Sequence, residues 1–172
     1  MAASKGRTMK FLPLLFLIAI ADCSVAQTPQ VQAVAYSRST IPGIPTGPGG
    51  PAINSLPVRY YIYVTVKKGT PVSVSSVCLK GQSYAASLKK VTSPVVVPHD
   101  PNVPTEAKDM LVPKSQDEVY QVNVQEQTGP ACKDRAQRLA RDNEVVVTLK
   151  FSGRTLYAPA KTIVALAAAA AP

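Results

Sequence analysis

Beyond position 57, apolar and polar residues alternate along most of the chain, and the phase of that alternation defines strands one by one. In the first, Val58, Tyr60, Ile62, Val64 and Val66 fall on one side, and Arg59, Tyr61, Tyr63, Thr65 and Lys67 on the other. This is the period of two expected for a strand with one buried face. Lys68-Gly69 predicts a turn, and Pro71 opens the next strand. There the phase slips. Val72 and Val74 share one face while Val77 and Leu79 share the other, which places a β-bulge at Ser75-Ser76.

The same pattern continues downstream. Tyr84, Ala86 and Leu88 point one way in "QSYAASLKKV", and Tyr120, Val122 and Val124 point one way in "EVYQVNVQE". Val145, Val147, Leu149 and Phe151 form an apolar face in "EVVVTLKF". Ser152-Gly153 then turns the chain into "RTLYAPAKTIVAL", one strand broken at Pro159 or two short ones. Between these segments "PVVVPHDPNVPTEAKDMLVPKSQ" is punctuated by proline and predicts a long loop with one short edge strand. Only "CKDRAQRLARDN" has helical spacing: Asp134 and Arg138 sit four apart, and Ala136, Leu139 and Ala140 make a thin apolar stripe. About seven strands at these intervals predict an all-β fold, a single immunoglobulin-like β-sandwich over residues 57–167 with one short helix. The absence of tryptophan and the distance between Cys78 and Cys132 fit an antibody-type domain poorly, so the architecture is expected without a family.

The first 56 residues do not read as core. Lys5, Arg7 and Lys10 precede the apolar run Phe11 to Ala21, and Ser24-Val25-Ala26 follows with small residues, which predicts a signal peptide over 1–26 cleaved after Ala26. The run falls short of the about 20 apolar residues of a membrane-spanning helix. Cys23 offers a lipidation alternative, weakened by the charged Asp22 before it. "STIPGIPTGPGGPAINSLP" holds five prolines and four glycines, so 27–56 is expected to be an extended Pro/Gly-rich linker, with 29–36 able to add an edge strand. At the other end, "IVALAAAAAP" is too short to span a bilayer, and 168–172 is expected to be a disordered alanine-rich tail.

Composition narrows the chemistry. Without residues 1–26 the chain keeps sixteen basic and nine acidic residues, a scattered excess that favours solubility and weak attraction to anionic surfaces. Cys78 and Cys132 remain as an even pair, which in an exported chain predicts one disulfide. Two cysteines without C-x-x-C spacing do not make a zinc site. His99, Asp100 and Asp109 can be drawn as a metal site, but three ligand types in a proline-rich loop are not a coordination pattern, so no metal or other cofactor is expected. Ser87-Leu88-Lys89-Lys90 matches S-x-x-K, yet the companion motifs are missing and the serine falls on a predicted strand. Glu118, Glu126, Asp134 and Asp142 show no pairing suited to glycosidase chemistry. No catalytic residues are expected, and no nucleic-acid partner, because the basic residues do not stripe one element.

The polar face of the first strand stays open. Tyr61 and Tyr63 lie half-buried beneath another segment, or stand exposed as cross-strand supports, or join Arg59 and Lys67 in a contact face. The expected role is that of a non-catalytic structural or protein-interaction module exported to the periplasm, the cell surface or the exterior, with an envelope or extracellular protein as partner. The alternative is a module that binds a glycan or an anionic polymer through Arg59, Tyr61, Tyr63 and Lys67.

Overall fold

The computed structural model of the chain describes residues 31–41, 58–98 and 108–170. In chain order these hold β1 (Val31–Ile41), β2 (Val58–Val66), β3 (Ser73–Leu79), β4 (Gln82–Val91), β5 (Val95–Pro98), β6 (Lys108–Val112), β7 (Glu118–Gly129), α1 (Asp134–Leu139), β8 (Val145–Phe151), β9 (Arg154–Ala160), β10 (Ile163–Ala165) and β11 (Ala169–Ala170). The described chain is therefore mostly β with one short helix. No described helix is long and apolar enough to cross a membrane.

One sheet runs in the order β10-β1-β2-β7-β4-β3-β8-β9, with β11 also lying along β1. It curls until its ends almost meet. Strand β9 leaves β8, passes through Lys161-Thr162 and becomes β10, which pairs in parallel with β1 at Ala35 opposite Ile163. Glu144 fastens that crossing from both directions: its N–H donates to the Lys161 carbonyl at 3.2 Å, and its carboxylate accepts the Ile163 N–H at 2.5 Å. The Leu166 N–H then donates to the Ser37 carbonyl at 2.8 Å.

The interior of the curl collects the apolar phase of each strand. Ile62, Val64 and Val66 meet Val77, Leu79, Val122, Val145, Val147, Leu149, Leu156 and Ala158, with Tyr84, Ala86, Leu88, Tyr120 and Val124 at the margin. These are the faces that the alternation defines. The β-bulge also falls where the phase slips, since the β3–β8 register shifts between Val74 and Ser76. Two hairpins have type I′ geometry, with positive φ at both central residues: Lys80-Gly81 (48° and 83°) and Ser152-Gly153 (45° and 75°). Glycine in the second position reaches this region without a Cβ clash.

Three expectations need correction. Residues 31–41 are strand and not linker, in line with the alternative for 29–36 but longer and paired on both sides where an edge strand is expected. They form β1, which pairs with β2 from Val31↔Val66 to Ser39↔Val58 and with β10 on its other side. Small side chains suit this seam where the sheet ends converge, and Ala35 is fully enclosed there. Nor is all of 168–172 a free tail, because Ala169–Ala170 pairs with Thr40–Ile41. The strand count rises above seven for the same reason, and because the proline-rich segment forms a separate β5–β6 hairpin in place of a loop with one strand. The signal segment 1–26, residues 42–56 and His99-Asp100 lie outside the described residues.

Candidate functional site

The β5–β6 hairpin decides the fate of the tyrosine face. It packs Leu111 and Val112 onto Tyr63 and Val119, with Tyr36, Tyr61, Val91, Val95 and Val97 around them. Tyr63 is consequently only 3% exposed. Tyr61 is half-buried, its ring 5.4 Å from the Arg59 guanidinium, while Arg59 and Lys67 are exposed. The four residues therefore do not form a common contact face: a second apolar layer covers its centre.

Strand β1 latches this layer. Arg38, 5% exposed, donates from Nη1 to the Pro98 carbonyl at 2.8 Å and from Nη2 to Asp109 Oδ2 at 3.1 Å, so one guanidinium grips both strands of the hairpin. Tyr36 adds a hydroxyl bond to the Leu111 carbonyl at 2.6 Å. Burial raises the Tyr36 phenol above its ordinary range. Burial also raises that of Tyr63, with Tyr61 adding to the shift and Arg59 opposing it. Asp109 thus serves an ion pair. Among the described residues no group of three or more His, Cys, Asp or Glu side chains is arranged to hold a metal.

The S-x-x-K residues are not brought together. Ser87 and Lys90 are three apart on β4 and so project to opposite faces. Lys90 Nζ instead meets Glu118 Oε1 at 2.7 Å, and the Tyr120 hydroxyl donates to Glu118 Oε2 at 2.7 Å. Hydrogen bonds from Lys90 and then Tyr120 hold the Glu118 carboxyl below its usual range. The bond to Glu118 in turn raises the Tyr120 phenol.

A different concavity opens on the outer side of β3, β8 and β9. Cys78 and Cys132 stand at disulfide distance, with Cα atoms 5.7 Å apart. Together with Ala136 and Val146 they form a small core that seats α1 against the sheet, with Leu139, Ala140 and Tyr157 packed around it. Beside this core is a hollow of about 340 Å³ whose lining includes Ser76, Thr148, Lys150, Thr155, Tyr157 and Lys133. Sheet register arranges the floor. Ser76, Thr148 and Tyr157 lie in one row across three strands, and Lys150 and Thr155 lie opposite each other in the next outward row. Arg135 sits 5.5 Å from the Tyr157 ring. Thr148 is 8% exposed, and its Oγ1 has no hydrogen-bond partner among the described residues.

Reading the strands for their core faces passes over this hollow, although its signal is present. Val146, Thr148 and Lys150 are the outward phase of β8, and Ser76 shares its parity with Cys78. A disulfide partner on that face implies that something covers it. Comparison with protein families, curated proteins and solved structures finds no match to this chain.

Proposed function

We propose that this chain is an exported, non-catalytic module of immunoglobulin-like sandwich architecture that works by contact with a protein of a cell envelope or secreted assembly. The architecture rests on strand order. In this reading the single curled sheet would divide at β4, with β1, β2, β7 and β4 as one antiparallel layer and β3, β8 and β9 as the other. Strand β4 would join the two layers, since it pairs with β7 over most of its length and with β3 at Gln82–Tyr84. Export rests on the basic-then-apolar N-terminal segment and on the cysteine pair, which suits an oxidising compartment.

The observation that carries the contact role is the outer surface of the β5–β6 hairpin. Its inner side is latched by Arg38 and Tyr36, while Val96 and Met110 lie directly opposite each other on the outside, 45% and 60% exposed. Single exposed apolar residues are ordinary. A cross-strand pair on an appended and anchored layer is a better candidate for a protein contact, and methionine is enriched at such surfaces. A photoreactive side chain at Met110 is expected to form an adduct with one defined protein in the exporting host, and Val96→Lys is expected to suppress it. The same group at the exposed Gln125 should give none. Equal labelling at both positions, or recovery of unlabelled monomer alone, would overturn the reading.

A further inference from the structure

The geometry points to a ligand site in the hollow beside Cys78 and Cys132, built for a saccharide residue that carries one carboxylate. Three features of the hollow lead there. First, Ser76, Thr148, Thr155 and Tyr157, each carrying a hydroxyl, line it from three strands and are spaced by the sheet. Directly opposed residues lie about 5 Å apart at Cβ, a spacing at which neighbouring hydroxyls reach adjacent groups of one small molecule. A hydroxyl both donates and accepts, so a row of them matches a ligand that is itself rich in hydroxyls.

Second, the charge on the lining favours an anion. Lys133 and Lys150 contribute two ammonium groups against the single carboxylate of Asp134. One negative group is satisfied there, whereas a neutral sugar would leave both cations without a ligand partner. Third, Thr148 Oγ1 has no partner among the described residues although the residue is more than nine-tenths buried. Buried hydroxyls are almost always hydrogen-bonded, and leaving one unpaired is costly. Thr148 stands at the centre of the Ser76–Thr148–Tyr157 row. A β-branched side chain exchanges its methyl and hydroxyl by one rotation about χ1, and threonine occupies more than one such rotamer readily. Turned toward the hollow in this way, the hydroxyl meets a bound hydroxyl or carboxylate oxygen, a partner it does not have among the described residues. The volume of about 340 Å³ falls at the small end of the range for ligand pockets, suited to a single sugar ring.

This site is separate from the hairpin surface proposed for protein contact, and each can fail without the other. The test is amide NMR titration of the full chain, cysteine pair intact, with glucuronate, glucose and inorganic phosphate as probes. Saturable shifts at Ser76, Thr148 and Tyr157 are expected with glucuronate at millimolar concentration. Glucose and phosphate are each expected to bind about tenfold more weakly. Thr148→Val keeps the shape of the side chain and removes the orphan hydroxyl, so glucuronate affinity is expected to fall about threefold to tenfold while Tm holds or rises. The exposed Lys150→Gln is expected to lower affinity for glucuronate and leave that for glucose unchanged. Phosphate binding as tightly as glucuronate would replace the proposal with a bare oxyanion site, and glucose binding equally would remove the role of the lysines. No saturable shift, or unaltered affinity in Thr148→Val, would overturn the site itself.

Discussion

Replacing Arg38 by methionine tests whether the β5–β6 hairpin is held mainly by one side chain. Methionine keeps an unbranched apolar stem beneath the hairpin and removes the guanidinium. Two bonds disappear, to the Pro98 carbonyl and to Asp109, at 2.8 and 3.1 Å. Hydrogen bonds to a charged group each contribute about 1.5–3 kcal/mol. Two effects reduce the sum. Asp109 keeps 27% of its side chain exposed and can be rehydrated, and the change also removes a buried Nε that has no partner among the described residues. A net loss of about 1.5–3 kcal/mol is expected, confined to the hairpin. Hydrogen exchange reads this directly, because a local opening reports its own free energy. Amides of Val95–Val97 and Lys108–Val112 should lose protection by roughly tenfold to a hundredfold, while those of β3 and β8 keep theirs. The surface pair Lys90–Glu118 is the control. Lys90 is 61% exposed, and Lys90→Ala should cost less than about 1 kcal/mol. Uniform loss of protection across every strand would show that the hairpin is no separate unit, and unchanged protection would show that the apolar contacts of Leu111 and Val112 suffice without the latch.

Three other outcomes are expected. Cys78→Ala with Cys132→Ala opens a covalent loop with a sequence separation of 54 and should lower denaturation stability by about 4 kcal/mol on the chain-entropy account; an unmoved midpoint would mean that the sulfurs are not bonded. The raised phenols of Tyr36 and Tyr63 favour the neutral form in the folded chain, so their contribution is whole below the unfolded value of 10.0 and is lost as pH climbs through the higher folded values. The denaturation midpoint should therefore hold to about pH 10 and fall beyond it, with phenolate absorbance from these two rings appearing late; early titration of both would contradict their enclosure. Intact mass of the product secreted from an exporting host should correspond to a chain beginning at Gln27 and should gain two hydrogens on reduction; retention of residues 1–26 would remove the basis for export.

The strands with strong side chains were legible because their inward faces alternate without interruption. Val145, Val147 and Leu149 are buried as their spacing requires, and the slip between Val74 and Val77 marks a real bulge. Strand β1 was harder to read because Ala33, Ala35 and Ser37 carry little hydrophobic signal. Ala35 is enclosed, and Ala33 and Ser37 are half-buried, through the convergence of β2, β10 and the neighbouring β9, a condition set by distant parts of the chain. The hairpin was hidden by its prolines, and the burial of Tyr63 depends on Leu111 and Val112 arriving from far along the sequence. The hollow poses the same difficulty in a sharper form. Thr148 on an outward phase reads as a solvated threonine until α1 and the cysteine pair close over the adjoining strand.

The parallel seam between β1 and β10 has a consequence for how this polypeptide is made. A strand that appears early must wait, with one flank unpaired, until Ile163–Ala165 emerges from the ribosome. Contacts of such long reach slow folding, and an open flank recruits foreign strands in the interval. Nascent intermediates lacking the last segment should therefore be the sticky ones, and a chaperone that shields Val31–Ile41 would do the most to raise yield.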